Sequence, residues 1–220
     1  MRKHILIALT VLLWVSLSVK TQTPPLVAQD DIQSWNDVML TVPLSKQFDF
    51  WTSVTMRFGK NISRLNDGRY AIGFIYKPDK QWTIQPFFWS IKMRNSRGQF
   101  QNESRLNLRI GYKFPIKSVG LSHRSTFEYR IRNVGNSWRY RPSLTFEKDL
   151  PKKTKSKIYL TDEVFYDSSL AKFSRNRFTI GITRTLTKIL SLDLYYMRQN
   201  DGFSRPGDLH VIGTSWKIKL

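Results

Sequence analysis

The chain has 220 residues, 36 of them basic and 16 acidic, which gives a formal net charge of +20, and it contains no cysteine. The lack of cysteine excludes a disulfide framework and a cysteine metal site. The basic excess indicates an anionic partner, either nucleic acid or lipopolysaccharide and acidic lipid.

The first 28 residues have the three parts of a secretory signal peptide. Arg2 and Lys3 precede an apolar run over residues 5–19, and residues 26–28 offer a small-residue cleavage site. The run is 15 residues long, shorter than the about 20 needed to span a bilayer. We therefore predict a signal peptide over 1–28 and one β-barrel domain over 29–220. Export argues against nucleic acid as the anionic partner.

The alternation of side chains over residues 103–114 predicts a β-strand with two different faces. One face carries charged and polar residues from Glu103 to Lys113, and the other carries apolar residues from Leu106 to Phe114. Strand side chains alternate with a period of two. The pattern recurs about every 12 residues to the C-terminus, as expected of an outer-membrane barrel with a polar lumen and a lipid-facing exterior.

Eleven candidate strands lie near 35–44, 47–58, 68–77, 81–93, 103–114, 119–132, 138–149, 157–166, 174–185, 188–198 and 208–220. Their connections alternate in length, as expected of short periplasmic turns and longer external loops. If the last strand ends in the periplasm, the strand over 35–44 begins outside, whereas single-chain barrels have even strand numbers. We therefore expect an all-β, antiparallel up-and-down barrel of twelve strands, with one more strand near 29–34. Ten strands, or an N-terminal segment folded through the lumen, are the alternatives.

The residues predicted to point inward are unusually ionic. A small barrel has little open lumen, so these side chains must pair with one another or face water. One interpretation is an interlocked plug of Arg–carboxylate pairs, and the other is a basic conduit or pocket for a small anion. The candidate lumen-binding residues are Glu103, Arg105, Arg109, Glu128, Arg130, Arg139, Arg141, Glu163 and Arg177.

The residues predicted to point outward include many aromatics, among them Phe48, Tyr70, Trp138, Tyr196 and Trp216. Aromatic side chains favour the two interfaces of a membrane. The alternating last strand is the kind of C-terminal signal that barrel-assembly machinery reads, although its final residue is leucine rather than an aromatic. We expect a monomer whose partners are this machinery, outer-membrane lipid and lipopolysaccharide.

The chain resembles the bacterial outer-membrane proteins grouped as domain of unknown function 2490, over roughly residues 35–220. The resemblance is carried by the order of Trp35, Glu103-x-Arg105, Arg124-x-x-x-Glu128-x-Arg130, Arg139-x-Arg141, Glu163 in Asp-Glu-Val-Phe-Tyr, and Asn176-Arg177-Phe-x-x-Gly181. It departs from the expected pattern at Asn107 and in the aromatic character of the Arg139 strand. The resemblance implies an outer-membrane barrel without an established activity.

Two histidines offer the alternative of a lipid-modifying hydrolase or acyltransferase. Such an enzyme needs a hydroxyl activated by an imidazole that a third group orients. His123 and Ser125 share a strand face, but Glu128 points to the other side, and His210 lies where a turn enters the last strand. We expect no catalytic residue, metal or cofactor.

The sequence thus favours a non-enzymatic outer-membrane barrel with a structural role, or one that passes or binds a small polar or anionic solute. A lipid-modifying enzyme and a soluble exported lipid-binding barrel remain as alternatives. The soluble barrel would have an apolar lumen and a charged exterior, so the facing of the strands distinguishes it from the other two.

Overall fold

The structure is a computed structural model that describes residues 30–95, 98–116, 119–204 and 206–220. The predicted signal peptide over 1–28 lies outside these residues and stays a prediction. Within the described residues, no helix is long and apolar enough to cross a membrane.

The described residues form eleven strands, each 11 to 15 residues long. A single 3-10 turn, Lys152–Thr154, lies between the seventh and the eighth. The strands are β1 (Asp31–Pro43), β2 (Phe48–Gly59), β3 (Arg64–Tyr76), β4 (Trp82–Arg94), β5 (Phe100–Phe114), β6 (Gly120–Arg132), β7 (Ser137–Asp149), β8 (Ser156–Asp167), β9 (Lys172–Thr185), β10 (Leu190–Asp201) and β11 (Leu209–Lys219).

The strands close into one barrel in which every neighbouring pair is antiparallel except β1 and β11. Those two pair in parallel from Asp31 opposite Leu209 to Thr41 opposite Lys219. The predictions of twelve strands and of a wholly antiparallel barrel are therefore wrong for the described residues. An odd number of alternating strands leaves the first and last running in the same direction, and a parallel ladder lets them close the sheet without a further strand.

The two ends of the barrel have connections of similar length. The upper end, where residues 60–63, 95–99, 133–136, 168–171 and 202–208 join the strands, has connections of four to seven residues. The lower end, which holds the other connections and the C-terminus, has connections of four to six. The expected contrast between short turns and longer loops is not observed, because the strands extend further at the upper end. Arg64 and Asp67, which the sequence placed in a loop, belong to β3.

The predicted orientation of the strand side chains, polar residues inward and apolar residues outward, is confirmed. In β5 the side chains of Glu103, Arg105 and Asn107 are buried in the lumen, whereas Leu106 and Leu108 are exposed on the outside. The same contrast holds for the predicted outward aromatics Phe48, Tyr70, Trp138, Tyr196 and Trp216, all exposed. A soluble lipid-binding barrel would need the opposite arrangement, with apolar residues lining the cavity.

The lumen also contains apolar clusters that the charge pattern did not predict. Trp51, Ala71 and Phe87 form one cluster, and a second is built on Trp35, Met197, Leu209 and Val211. Both form because small barrels fill their interiors with side chains. The described lumen is therefore a packed interior, with polar groups concentrated in particular sectors.

Two strand glycines make room for tyrosines in this interior. A Cβ on Gly213 would overlap the ring of Tyr195, and one on Gly181 would lie 2.5 Å from that of Tyr159. Glycine within a strand permits the tight curvature of a small barrel. Their close contacts show that they also give the neighbouring tyrosine rings the space they occupy.

Candidate functional site

Glu128 is the centre of a buried group of ion pairs on the lumen side of β5 to β8. Its side chain is fully buried, and it accepts a hydrogen bond from Arg141. Arg105 lies 3.4 Å from the same carboxylate and Arg139 lies 3.9 Å from it. Strand register explains the contact with Arg139, because Glu128 on β6 stands directly opposite Arg139 on β7.

Glu103 and Asp167 extend this group towards the upper end. Glu103 accepts hydrogen bonds from Arg105 at 2.7 Å and from Arg130 at 2.6 Å. Asp167 is 3.1 Å from Arg130 and 2.6 Å from Arg139. Each of these arginines therefore contacts two carboxylates, the arrangement that compensates best for removing charges from water.

Glu163 completes the group, because both of its oxygens accept hydrogen bonds of 3.0 Å from Arg141. We call the set the ionic cluster; its members are Glu103, Arg105, Glu128, Arg130, Arg139, Arg141, Glu163 and Asp167. All eight are at most 9% exposed. It contains four arginines and four carboxylates, so its formal charges balance. A water-filled conduit would leave these side chains exposed, so the lumen is occluded at this level.

Seven of the nine predicted lumen residues belong to the ionic cluster, and two do not. Arg177 lies beside it, 3.8 Å from Glu163, and donates a 2.8 Å hydrogen bond to Gln199. Arg109 stands apart, donating a 3.0 Å hydrogen bond to Gln85 and stacking 4.8 Å from the ring of Phe87.

A cavity of about 660 Å3 opens at the upper end of the barrel, above the ionic cluster. Of the described residues, ten arginines and one lysine line it, against three aspartates. We call this cavity the vestibule. Its charged lining residues are Asp30, Asp31, Arg57, Lys60, Arg64, Asp67, Arg69, Arg94, Arg105, Arg130, Arg139, Arg141, Arg175 and Arg177. Trp35, Trp89 and Phe165 add aromatic surface to the same wall.

The arginines of the vestibule differ in how closely they are paired. Arg175 donates a 2.6 Å hydrogen bond to Asp201, and Arg69 donates a 2.7 Å hydrogen bond to Asp67. Arg57 has its carboxylate contact only at 4.0 Å, to Asp67. Its guanidinium instead lies 3.4 Å from the ring centroid of Trp35.

Several residues of the site were missed by the sequence reasoning. Asp67 and Asp167 were placed in loops because Asp ordinarily punctuates strands, yet each has the parity of the inward face of its strand. That parity was the signal that could have found them. Trp35 and Phe165 were not predicted to line the lumen, since an aromatic residue has no facing preference of its own in a barrel with aromatic residues on both surfaces.

The residues of the enzymatic alternative lie on the outer face. His123 Nε2 is 3.0 Å from Ser125 Oγ, which is 3.0 Å from the hydroxyl of Tyr140. No carboxylate of the described residues bonds to this group, and Glu128 points into the lumen as expected. His210 contacts the hydroxyl of Tyr196 at 2.7 Å through its Nδ1 atom.

The fold of this barrel is similar to that of a solved porin. A NanC porin, solved in a rhombohedral crystal form, aligns with a TM-score of 0.51 and 12% identity over 86% of this chain and 99% of the porin. An anion-selective porin from Comamonas acidovorans aligns with a TM-score of 0.40 and 12% identity, over 79% of this chain and 54% of that one. The identity shared with the NanC porin is low enough that the likeness concerns the fold alone.

No curated protein matches the sequence. The model of a family described as proteins of unknown function, DUF2490, matches residues 32–209. This range runs from the second residue of β1 to the first of β11 and contains the ionic cluster. The resemblance carried by the Arg and Glu motifs is therefore confirmed, and the chain belongs to the DUF2490 family.

Proposed function

We propose that this protein is a non-enzymatic outer-membrane barrel that draws small anionic solutes into the vestibule and controls their passage at the ionic cluster. The observation that carries the proposal is the charge of the vestibule wall in the described part of the chain. Without the four arginines that the ionic cluster neutralises, six arginines and one lysine still face three aspartates. An enclosed wall of one sign of charge concentrates ions of the opposite sign.

Two features support the membrane setting. Strands of 11 to 15 residues meet or exceed the about 9 to 11 residues that a tilted strand needs to cross the hydrocarbon core. The outer surface exposes large apolar side chains around the barrel, such as Val54, Leu106, Ile180 and Ile212. A surface of that kind is costly in water and favourable in lipid. The upper end would then face the exterior and lipopolysaccharide, with the protein acting as a monomer.

The division of charge between the two levels supports control of passage. In the ionic cluster, four arginines meet four carboxylates and leave no net charge to attract a solute. Above it, Arg57, Arg64, Arg94 and Lys60 add positive charge without a carboxylate within 3.5 Å among the described residues. An anion would therefore be attracted into the vestibule and stopped at its floor, where ion pairs must rearrange before it can proceed.

Planar-bilayer recording of the detergent-purified barrel tests the proposal. The wild-type protein should conduct little in a KCl gradient. The charge-balanced variants Glu128→Ala/Arg141→Ala and Arg139→Ala/Asp167→Ala should open steady conductances whose reversal potential shifts towards that of chloride. Heat-dependent gel mobility and circular dichroism would establish that each variant is folded.

The matched control is Glu147→Ala/Lys157→Ala, which removes a 3.0 Å ion pair at the lower end, away from the ionic cluster. It should conduct as little as the wild-type protein. Opened variants with cation-selective or unselective conductance would contradict the proposal, as would equal conductance in the control. Release of fatty acid from phospholipid or lipopolysaccharide that Ser125→Ala abolishes would instead support the enzymatic alternative.

A further inference from the structure

Arg57 and Arg177 are among the vestibule arginines that lack the close carboxylate found for the arginines of the ionic cluster. Arg57 lies 4.0 Å from Asp67, and its Nε atom is buried without a hydrogen-bond partner in the described structure. Arg177 lies 3.8 Å from Glu163, and its Nε atom donates to the neutral side chain of Gln199. By contrast, Arg105, Arg130 and Arg141 each have a carboxylate oxygen within 3.0 Å.

Trp35 contacts both of these guanidinium groups. The guanidinium carbon of Arg57 is 3.4 Å from the ring centroid of Trp35, and that of Arg177 is 4.9 Å from it. Register produces the first contact, because Trp35 on β1 stands directly opposite Arg57 on β2. Stacking fixes the planar guanidinium without using its N–H groups. These donors are left to bind something that enters the cavity.

The Trp35 ring is itself held in place from the upper end. Its indole N–H donates a 2.8 Å hydrogen bond to Gln33, whose amide donates one of 2.8 Å to Asp31. The Asp31 carboxylate accepts the backbone N–H groups of Lys60 and Asn61 at 3.0 and 2.9 Å. The orientation of the two arginines is therefore built into β1 and the 60–63 connection, and does not depend on a ligand.

We infer that Arg57, Trp35 and Arg177 form a binding site for the carboxylate of an organic monoanion in the vestibule. The inference rests on the proposed function, which it narrows to a ligand class and a location. Guanidinium N–H groups held in a plane match the two oxygens of a carboxylate. Asp67 and Glu163, each about one ångström beyond hydrogen-bond distance, offset part of the positive charge and favour a single negative charge over two.

The size and lining of the cavity favour an organic ligand over an inorganic ion. A volume of about 660 Å3 lies within the roughly 300–1,000 Å3 of small-molecule sites. Trp89, Phe165 and Leu209 supply apolar wall for the body of the ligand. Chloride or phosphate would use the charge but leave this surface in contact with water.

Calorimetric titration of the detergent-purified barrel with benzoate tests the site, with benzamide as the neutral analogue and chloride and phosphate at matched ionic strength. Benzoate should bind saturably and more tightly than the other three. Arg57→Gln and Arg177→Gln should each weaken benzoate binding by about ten-fold or more, since each removes a charge-assisted contact.

Arg109→Gln is the matched control, because Arg109 is another lumen arginine that stacks on an aromatic ring but does not line the vestibule. It should bind benzoate as the wild-type protein does. Equal weakening in all three variants would mean that only diffuse charge attracts the anion, and unchanged binding in Arg57→Gln and Arg177→Gln would place benzoate elsewhere. Either result overturns the site and leaves the proposed function standing.

Arg57→Lys covers the case in which Arg57→Gln does not fold. It retains the charge and loses the planar donor group, so benzoate binding should still fall by about ten-fold. Full affinity in this variant, or phosphate binding as tightly as benzoate, would overturn the carboxylate assignment. Failure of the proposed function is a different result, namely opened variants that show no preference for anions in bilayers.

Discussion

The ionic cluster and the vestibule are built from the same residue type and differ in how the arginines are compensated. In the cluster, the neighbouring strands β5 to β8 supply one carboxylate for each arginine, and every member is buried. The vestibule has further arginines from β2, β3, β4 and β9, and these outnumber the carboxylates that line the cavity. Arginine content alone therefore does not identify an anion site.

The difference has an energetic basis. Burying a guanidinium costs several kcal/mol unless a well-placed carboxylate and further hydrogen bonds offset that cost. The cluster meets this requirement with bidentate pairs such as Arg130 with Glu103. Arg57 and Arg177 are compensated more by aromatic stacking, which leaves most of their hydrogen-bonding capacity unused. Stability is thus the main role of the first group, and recognition is the role we assign to the second.

Removing Glu128, the centre of the ionic cluster, should cause the largest loss of stability. Glu128→Ala leaves Arg105, Arg139 and Arg141 without a shared carboxylate, and breaking a buried pair in this way costs about 3–5 kcal/mol. Urea unfolding of the reconstituted barrel, followed by gel mobility, measures the loss. Glu147→Ala, whose pairs are partly exposed, should cost about 1 kcal/mol or less. Similar losses in the two variants would show that the cluster is not a special source of stability.

Truncating one arginine from each region sharpens the comparison. Arg141→Ala should cost about 3 kcal/mol or more, because it leaves Glu128 and Glu163 buried with weaker partners. Arg177→Ala should cost about 1 kcal/mol, since Glu163 keeps its contacts with Arg141 and Arg124. The same unfolding assay measures both. A larger loss for Arg177→Ala than for Arg141→Ala would reverse the assignment of roles.

Removing a carboxylate from the outer face should stabilise the barrel, in contrast to removing one from the ionic cluster. Asp162 points outward midway along β8, next to exposed Leu160 and Phe178, and accepts a 2.7 Å hydrogen bond from Asn176. A polar pair facing hydrocarbon is unfavourable, so Asp162→Leu/Asn176→Leu should raise the free energy of unfolding in lipid by about 1–2 kcal/mol. Lys148→Leu, near the lower end of the same face, should change it little. A large loss of stability in the double variant would indicate that the pair faces protein rather than lipid.

The smallest expected change in stability is the response to salt, which should also distinguish the ionic cluster from the vestibule. Raising NaCl from about 0.1 M to 1 M shortens the screening length from about 10 Å to 3 Å. The wild-type free energy of unfolding should change by less than about 0.5 kcal/mol from this cause, because pairs in the ionic cluster are buried and hydrogen-bonded. Benzoate binding in the open vestibule should weaken several-fold over the same range. Equal sensitivity of both measurements would mean that the cluster is solvated.

The positions of the strands were largely predictable from the sequence. Each predicted strand overlaps an observed one, as with 103–114 against Phe100–Phe114 and 188–198 against Leu190–Asp201. The main errors lie at the upper end, where β3 begins at Arg64 instead of residue 68. Asp and Gly in that stretch indicate a loop by composition, yet the ladder with β2 continues through them past a register shift near Phe58. Pairing with a neighbouring strand outweighed local preference.

The site was predictable only in part. Arg and Glu at alternate positions of one strand necessarily face the same side, so Glu103 with Arg105, and Glu128 with Arg130, could be assigned to the lumen. The partners could not, because Arg130 with Asp167 and Arg177 with Glu163 are joined across strands. Arg109 illustrates the limit, since it has the same parity and charge as its neighbours but contacts Gln85 rather than a carboxylate.

The sequence by itself determined which side chains face the lumen and which face outward, because a strand's two-residue period is a local property of the chain. The tertiary structure decided the strand number, the parallel closure of β1 on β11, and the placement of Trp35 against Arg57 and Arg177. All three depend on the register between strands, and the closure and the contact with Arg177 join strands distant in sequence. Register is set by the summed pairing and packing of the closed barrel, which no single segment contains.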